Sequence, residues 1–151
     1  MDFVEALARA CPGGASRGDY VGTTRGTWII EPSAEQSSPQ SVVPKLETCD
    51  SCPVRGDCLN YALTADFTAI GIWGGTSTIE RVTLAPRLNE SLGSAGERRQ
   101  QIERAEEILT ATHAERLERW RGFAQEAGKA RERGETFRVA RERVTEPLSR
   151  C

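Results

Sequence analysis

Three cysteines lie close together in the stretch CDSCPVRGDC, at positions 49, 52 and 58. A turn brings the side chains of Cys49 and Cys52 to the same side, and Cys58 can point back at them from the start of a following helix. Thiolate sulfur is a preferred ligand of zinc and of iron–sulfur clusters. The stretch therefore predicts a metal centre that uses three thiolates and needs a fourth ligand.

Three residues elsewhere in the chain are candidates for that fourth ligand. His113 is the single histidine, and it lies far along the chain in a highly charged segment. Cys151 is the last residue of the sequence. Cys11 follows a short helix predicted at residues 2–10 and precedes Pro-Gly-Gly, so we expect Cys11 to complete the set.

The spacing of these cysteines leaves three kinds of chemistry open. Structural zinc sites usually contain two close pairs of ligands, whereas this chain has one pair and two single cysteines. Iron–sulfur clusters accept irregular spacing because a cluster is larger than an ion. Cys49 and Cys52 could instead exchange disulfides if one thiol had a lowered pKa. No thioredoxin-like alternation of strands and helices is predicted around that pair, which argues against a disulfide reductase.

Composition and charge argue against several classes of protein. No segment approaches the ~20 apolar residues of a membrane helix, and the amino terminus lacks the features of a secretion signal. We therefore expect a cytoplasmic protein, where clustered cysteines more often bind metal than form structural disulfides. The net charge is −2, so no overall basic field attracts nucleic acid. No catalytic triad, carboxylate pair or phosphate loop is recognised, and we expect no enzymatic activity.

The elements that must position the cysteines are predicted to be helices. We expect an all-α fold, in which a small helical domain surrounds the metal centre and a long charged helical extension follows. Residues 33–41 have a flexible composition, and Pro44 precedes a short helix that leads into Cys49. Residues 57–66 have apolar side chains at helical spacing and form the next helix.

The glycine-rich turn, residues 71–75 with the sequence Gly-Ile-Trp-Gly-Gly, is the second feature that could carry function. Its glycines allow a tight turn that presents Trp73. Trp73 then serves either as an anchor for a partner or as a core residue that closes over the cysteines. Thr76 or Ser77 can cap a following short helix, in which Glu80 lies at the capping-box position relative to Ser77, and Pro86 ends that helix.

The last third of the sequence is predicted to form a long charged helix at residues 97–133 and a second helix at residues 135–143. We divide the chain into a cluster-binding domain at 1–86, a linker at 87–96 and an extension at 97–151. We expect the extension to dimerise or to pack back on the domain, because an apolar stripe runs along it. The stripe comprises Ile102, Ala105, Ile108, Leu109, Leu117, Trp120, Ala124 and Ala127.

The order of these motifs resembles the WhiB-like proteins of actinobacteria and their phages. The resemblance rests on a cysteine followed by C-x2-C-x5-C, then Gly-Ile-Trp-Gly-Gly, then Ser-x-x-Glu-Arg. The matching residues are Cys11 and residues 49–55, 57–59, 61–63, 71–75 and 77–81. The combination is far more specific than a single C-x2-C.

The resemblance implies a cofactor, a function and partners. Members of the family hold a [4Fe–4S] cluster that reacts with oxygen and nitric oxide. They regulate transcription, and several bind the C-terminal domain of the principal sigma factor of RNA polymerase; DNA is a second candidate partner. The cysteines that match the cluster ligands are Cys11, Cys49, Cys52 and Cys58. The residues that match the sigma-contacting turn are Gly71, Ile72, Trp73, Gly74 and Gly75.

This chain departs from the family pattern at three places. No Phe-Phe-Pro-like stretch follows Cys11. The short basic segment that follows the turn in many members is reduced to Arg81 and Arg87. The extension at 97–151 has no counterpart in the short members.

Overall fold

The structure, a computed structural model, describes residues 38–65, 71–86 and 93–150. Within these ranges it contains no strand, and Trp73 and Thr76 form an isolated bridge. The predicted all-α class is therefore confirmed. The elements are α1 (Pro39–Asp50), α2 (Arg55–Thr64), α3 (Thr78–Leu84), α4 (Ala95–Ala111), α5 (His113–Glu132), α6 (Arg141–Thr145) and a 3₁₀ helix (Glu146–Arg150).

Several predictions concern residues outside the described ranges. They include the helix at residues 2–10, the ligand Cys11 and the thiol of Cys151. Among the helices that the structure describes, none combines the length and the apolar character needed to cross a membrane.

Helix α1 begins earlier than the sequence predicts. It starts at Pro39 and carries Pro44 in its interior. A proline at the first helical position costs no hydrogen bond, because the N–H there has no acceptor within the helix. Val42 and Leu46 are 0% and 1% exposed, and their burial favours the helix despite the N–H that Pro44 lacks. The prediction of flexibility was therefore wrong for residues 39–41.

The single helix predicted for residues 97–133 is wrong, because the structure has two helices, α4 and α5, on either side of Thr112. Thr112 is buried, and its hydroxyl donates to the Ile108 carbonyl at 2.7 Å. The same hydroxyl accepts a hydrogen bond from Nε of Arg116 at 3.0 Å. Such local bonds compete with the helical ladder. No glycine or proline marks this break in the sequence.

Helix α4 also begins before the predicted residue. Ser94 and Glu97 form a capping box, so the first helical residue is Ala95. The predicted linker at 87–96 therefore overlaps the first turn of α4. The capping-box spacing, a serine three residues before a glutamate, was the sequence signal for this start.

Gly134 ends α5 in a Schellman motif, which agrees with its predicted role as a helix breaker. Its φ angle is 69°, and the Glu135 N–H donates to the Ala130 carbonyl at 2.8 Å. The helix predicted for residues 135–143 is wrong.

Residues 135–140 are not helical, and α6 begins at Arg141. Val139 is buried in this segment, and Phe137 packs against the core. The non-helical path after Gly134 thus brings two apolar side chains to the core, and their burial outweighs the local helix preference.

Two apolar clusters hold the described helices together. The first joins α1 to α5 and contains Val42, Leu46, Cys49, Ile72, Leu117, Trp120, Phe123, Val139 and Val144. The second joins α2 to α4 and contains Leu59, Leu63, Ala85, Ala105, Leu109 and Leu148. Helix α5 therefore packs back on the cysteine-bearing α1. The division of the chain at residues 86 and 96 stays a prediction, although both clusters cross it.

Candidate functional site

The three described cysteines lie at the junction of α1 and α2. Cys49 occupies the last turn of α1 and is 7% exposed, while Cys52 and Cys58 are half-buried. The Cys52 N–H donates to the Cys49 carbonyl at 3.1 Å, and the Arg55 N–H donates to the Cys52 carbonyl at 3.2 Å. Cys58 follows one turn into α2. Two successive turns therefore carry the three thiols from one helix to the next.

The donor chemistry of these cysteines suits both an iron–sulfur cluster and zinc, since both take thiolate ligands. Within the described ranges, however, no three His, Cys, Asp or Glu side chains are grouped closely enough to hold a metal ion. The proposed fourth ligand, Cys11, lies outside those ranges. No disulfide is present in the described part of the chain, and no strand flanks Cys49 and Cys52 there as a thioredoxin-like reductase requires.

His113 is tied to the cysteine segment by a hydrogen bond. Its Nε2 lies 2.8 Å from Oδ1 of Asp50, the residue that follows Cys49. Burial lowers the pKa of His113 from 6.5, although the Asp50 hydrogen bond acts in the opposite direction and Arg55 lowers it further. Because a carboxylate oxygen accepts hydrogen bonds, the donor in this bond is Nε2–H of His113. This bond fixes the start of α5 against the end of α1.

The glycine-rich turn has a backbone that suits glycine at each of its three glycine positions. The φ angles of Gly71, Gly74 and Gly75 are 101°, 56° and 75°, in the left-handed region that other residues rarely adopt. The N–H groups of Trp73 and Thr76 each donate to the other residue's carbonyl at 3.0 Å. A Cβ on Gly74 would lie 2.5 Å from the Leu59 nitrogen. The turn is thus pressed directly onto the backbone of α2.

Arg81 holds the turn from α3. Its Nη1 donates to the Thr76 carbonyl at 2.8 Å, and its Nη2 donates to the Gly71 carbonyl at 3.0 Å. The side chain is buried, and this burial lowers the pKa of Arg81 to about 10, with Glu80 acting in the opposite direction. Arg81 is therefore committed to the turn and is not available to contact nucleic-acid phosphates.

Glu80 and Arg116 form a buried pair beneath the same turn. The Ser77 N–H donates to Oε2 of Glu80 at 2.7 Å, which completes the predicted capping box. Arg116 Nη1 lies 3.6 Å from Oε1 of Glu80, and the two side chains are 1% and 0% exposed. The same Nη1 donates to the Gly75 carbonyl at 2.8 Å. Arg116 of α5 thus contacts both the glycine-rich turn and Glu80, which forms part of the α3 capping box.

Trp73 has a different environment from its neighbour Ile72. Ile72 is 4% exposed and belongs to the first apolar cluster. Trp73 is half-buried, and its ring lies 5.4 Å from that of Tyr61 between centroids. The turn therefore inserts one apolar side chain into the core and supports the next one nearer the surface.

Known proteins are similar to this chain in the region that contains the three described cysteines and the glycine-rich turn. A family profile described as "Transcription factor WhiB" matches residues 31–84. The transcriptional regulator WhiB of Streptomyces coelicolor is 37% identical over 62 residues, which cover 36% of this chain and 70% of that relative. The chain belongs to the WhiB family. No solved structure matches this WhiB-family chain.

The WhiB match includes α1, α2, the glycine-rich turn and α3, but it ends before the C-terminal helices, α4 to α6. His113 and Arg116, which contact the WhiB region, lie outside it. Sequence reasoning considered His113 as a metal ligand and missed Arg116. A signal was present, because both residues fall on the apolar stripe between Leu109 and Trp120, at helical spacing.

Proposed function

We propose that this chain is a [4Fe–4S] transcription regulator that acts through the C-terminal domain of the principal sigma factor. The observation that carries the proposal is the family match, which places the C-x2-C-x5-C cysteines and the glycine-rich turn in one WhiB region. The residues proposed to hold the cluster are Cys11, Cys49, Cys52 and Cys58. When bound, the cluster would supply reactivity toward oxygen and nitric oxide.

The position of Cys49 supports a link between the cluster site and the fold. Cys49 belongs to the same apolar cluster as Leu117 and Trp120 of α5. Bonds from a protein to a metal centre add to the free energy of folding, because the unfolded chain has no preformed site. Loss of the ligand bonds at the end of α1 is therefore expected to loosen the packing between α1 and α5.

The glycine-rich turn supports the proposed partner site. Large aromatic side chains on a rigid backbone make effective interface anchors, because little conformational entropy is lost on binding. Trp73 is half-buried on a turn held by Arg81 and Arg116. We propose residues 71–75 as the sigma contact, with Trp73 as its main anchor.

Direct DNA binding receives less support from the C-terminal helices. Arg121 pairs with Glu47 and Glu118, and Arg143 pairs with Glu126. Such pairing reduces the positive potential that attracts phosphates. DNA therefore stays a second candidate partner, and the cytoplasmic location stays a prediction.

Metal analysis of protein purified without oxygen tests the cofactor. We expect about four irons and four sulfides per chain. A Cys11→Ala variant should lose them, while the matched control Cys151→Ala should retain them. One zinc with no sulfide would contradict the proposal and favour a zinc-stabilised interaction module instead.

Binding to the purified C-terminal domain of the Streptomyces coelicolor principal sigma factor tests the partner. Trp73→Ala should weaken binding by about 30-fold, which corresponds to ~2 kcal/mol for an interface anchor. Thr83→Ala, an exposed change on α3, is the matched control and should bind like the wild type. Equal affinities for Trp73→Ala and the wild type would remove the turn from the contact.

A further inference from the structure

We infer that Arg116 is a positioning residue for the partner-binding turn, and that sigma-factor binding therefore depends on the C-terminal helices outside the WhiB match. The inference rests on the proposed function, because it takes the glycine-rich turn as the partner site. It assigns a role to the part of the chain that the family match leaves unexplained.

The contacts of Arg116 bring three elements together. Its Nη1 donates to the Gly75 carbonyl of the turn at 2.8 Å. Its Nε donates to the Thr112 hydroxyl at 3.0 Å, and its Nη2 donates to the Leu109 carbonyl at the end of α4. A single rigid guanidinium thus connects the turn to the junction between α4 and α5. Lysine could not reproduce this arrangement, because its ammonium lacks the planar fork.

The surroundings of Arg116 show that α5 contacts the turn at more than one position. A Cβ on Gly75 would lie 2.8 Å from ring atoms of His113. Nε1 of Trp120 donates to Oε1 of Glu80 at 3.5 Å. His113, Arg116 and Trp120 are spaced by three and four residues, so they share one face of α5. This face of α5 therefore contacts both the glycine-rich turn and Glu80 of the α3 capping box.

Burial makes the position of Arg116 sensitive to change. The guanidinium is 1% exposed and the Glu80 carboxylate is 0% exposed. Removing one partner from a buried charged pair leaves the other charge without compensation, and the structure must shift to reduce that cost. The turn is one of the backbone segments that Arg116 bonds, through the Gly75 carbonyl, and Gly75 is two residues from Trp73. A change at Arg116 is therefore expected to alter the orientation of the Trp73 side chain.

The test uses the full chain with the changes Arg116→Lys and Arg121→Lys. Arg121 lies on the same helix, but its guanidinium pairs with Glu47 and Glu118 instead of the described residues of the turn. We expect Arg116→Lys to bind the sigma-factor domain about tenfold more weakly. Amide hydrogen exchange at residues 71–77 should rise by a similar factor. Arg121→Lys should match the wild type in both measurements.

A further control separates positioning from a general loss of stability. Phe123 lies two turns along α5 from Arg116 and belongs to the first apolar cluster. Phe123→Leu should lower the unfolding midpoint without changing the affinity for the sigma-factor domain. If affinity instead followed the unfolding midpoint in all three variants, the positioning role would be wrong.

The remaining outcomes distinguish this inference from the proposed function. If the wild type does not bind the sigma-factor domain, the proposed function fails, and hydrogen exchange at residues 71–77 decides the positioning role by itself. If Arg116→Lys does not fold, Trp120→Phe replaces it, because that change removes the Nε1 donor to Glu80 and keeps an aromatic ring. Unchanged exchange at residues 71–77 in the folded variant would overturn the inference.

Discussion

Gly74 of the glycine-rich turn lies so close to a neighbouring backbone that a Cβ at this position would clash with it. Gly74 combines a positive φ with an approach to the Leu59 backbone. Neither feature involves a charged or chemically reactive group. The turn is therefore specified by the absence of side-chain atoms as much as by the indole that it presents.

Gly74→Ala is predicted to lower the free energy of unfolding by about 2–4 kcal/mol, because it adds backbone strain to a steric clash. The matched control is Gly122→Ala in α5, where a Cβ would meet nothing within 4 Å. That change should stabilise the chain by about 0.5–1 kcal/mol, since alanine is the better helix former. Urea unfolding measures both. Equal stabilities for Gly74→Ala and the wild type would contradict the geometry of the turn.

The pKa of His113 predicts a pH dependence of stability. Burial lowers this pKa from 6.5 in the folded chain, so the unfolded chain binds more protons below pH 6.5. The contribution to stability is therefore present above pH 6.5 and is lost as the pH falls through the folded pKa. Urea unfolding at pH 7.5 and pH 5.5 should show a larger loss for the wild type than for His113→Gln. An equal loss in both would mean that another group controls the change.

The residues of the site differ in how far sequence alone could predict them. Cys49, Cys52 and Trp73 could be proposed as site residues because their spacing and neighbours are local signals, and their roles stay predictions. Arg116 was missed because its role depends on Gly75, which lies 41 positions earlier in the chain. Helical spacing places Arg116 on the apolar stripe between Leu109 and Trp120, but that spacing does not identify its partner.

At the scale of elements, a local motif marks several helix ends, and two of them were predicted, whereas the start of α4 at the Ser94–Glu97 capping box was missed. The capping box of Ser77 and Glu80 and the helix end at Gly134 were both predicted correctly. The break at Thr112 was missed because the buried Thr112 hydroxyl makes local bonds to Ile108 and Arg116 that no breaker residue announces. The non-helical residues 135–140 were missed because burial of Val139 in the core favours them. Local propensity is a weak guide where burial of one apolar side chain is worth more than a helical hydrogen bond.

The capping boxes at the starts of α3 and α4 have the same motif but differ in burial, so they test how much burial adds to a local motif. Ser77 is buried and bonds to the fully buried Glu80, whereas Ser94 and Glu97 are exposed. Ser77→Ala should cost about 2 kcal/mol, since it also removes a hydrogen bond from a buried carboxylate. Ser94→Ala should cost no more than ~1 kcal/mol. Thermal or urea unfolding measures the difference, and equal costs would show that Glu80 does not depend on Ser77.

At the scale of the whole molecule, the WhiB region and the C-terminal helices share their apolar clusters. Leu117, Trp120 and Phe123 of α5 pack with Val42 and Leu46 of α1. The sequence predicted an apolar stripe on the extension, but periodicity alone could not identify the surface that it covers. A stripe of this kind serves a dimer and an intramolecular contact equally well.

Truncation tests whether residues 1–86 are an independent unit. A chain that ends at Pro86 loses Val139, Val144 and the α5 members of the first cluster and, from the second, Ala105, Leu109 and Leu148. Removing one large core side chain costs about 2–5 kcal/mol, against a total stability of about 5–15 kcal/mol. We therefore predict that the metal-free truncated chain shows no cooperative unfolding by circular dichroism.

A chain that ends at Gly134 is the control for this truncation, because it keeps α4 and α5 and loses only Val139, Val144 and Leu148 from the clusters. It should unfold cooperatively at a lower urea concentration than the full chain, since α1 retains its contacts with Trp120 and Phe123. Cooperative unfolding of the chain that ends at Pro86 would support the division predicted from the sequence. It would also mean that α5 adds to a WhiB domain that is already stable, and that the buried Glu80 can be accommodated without Arg116.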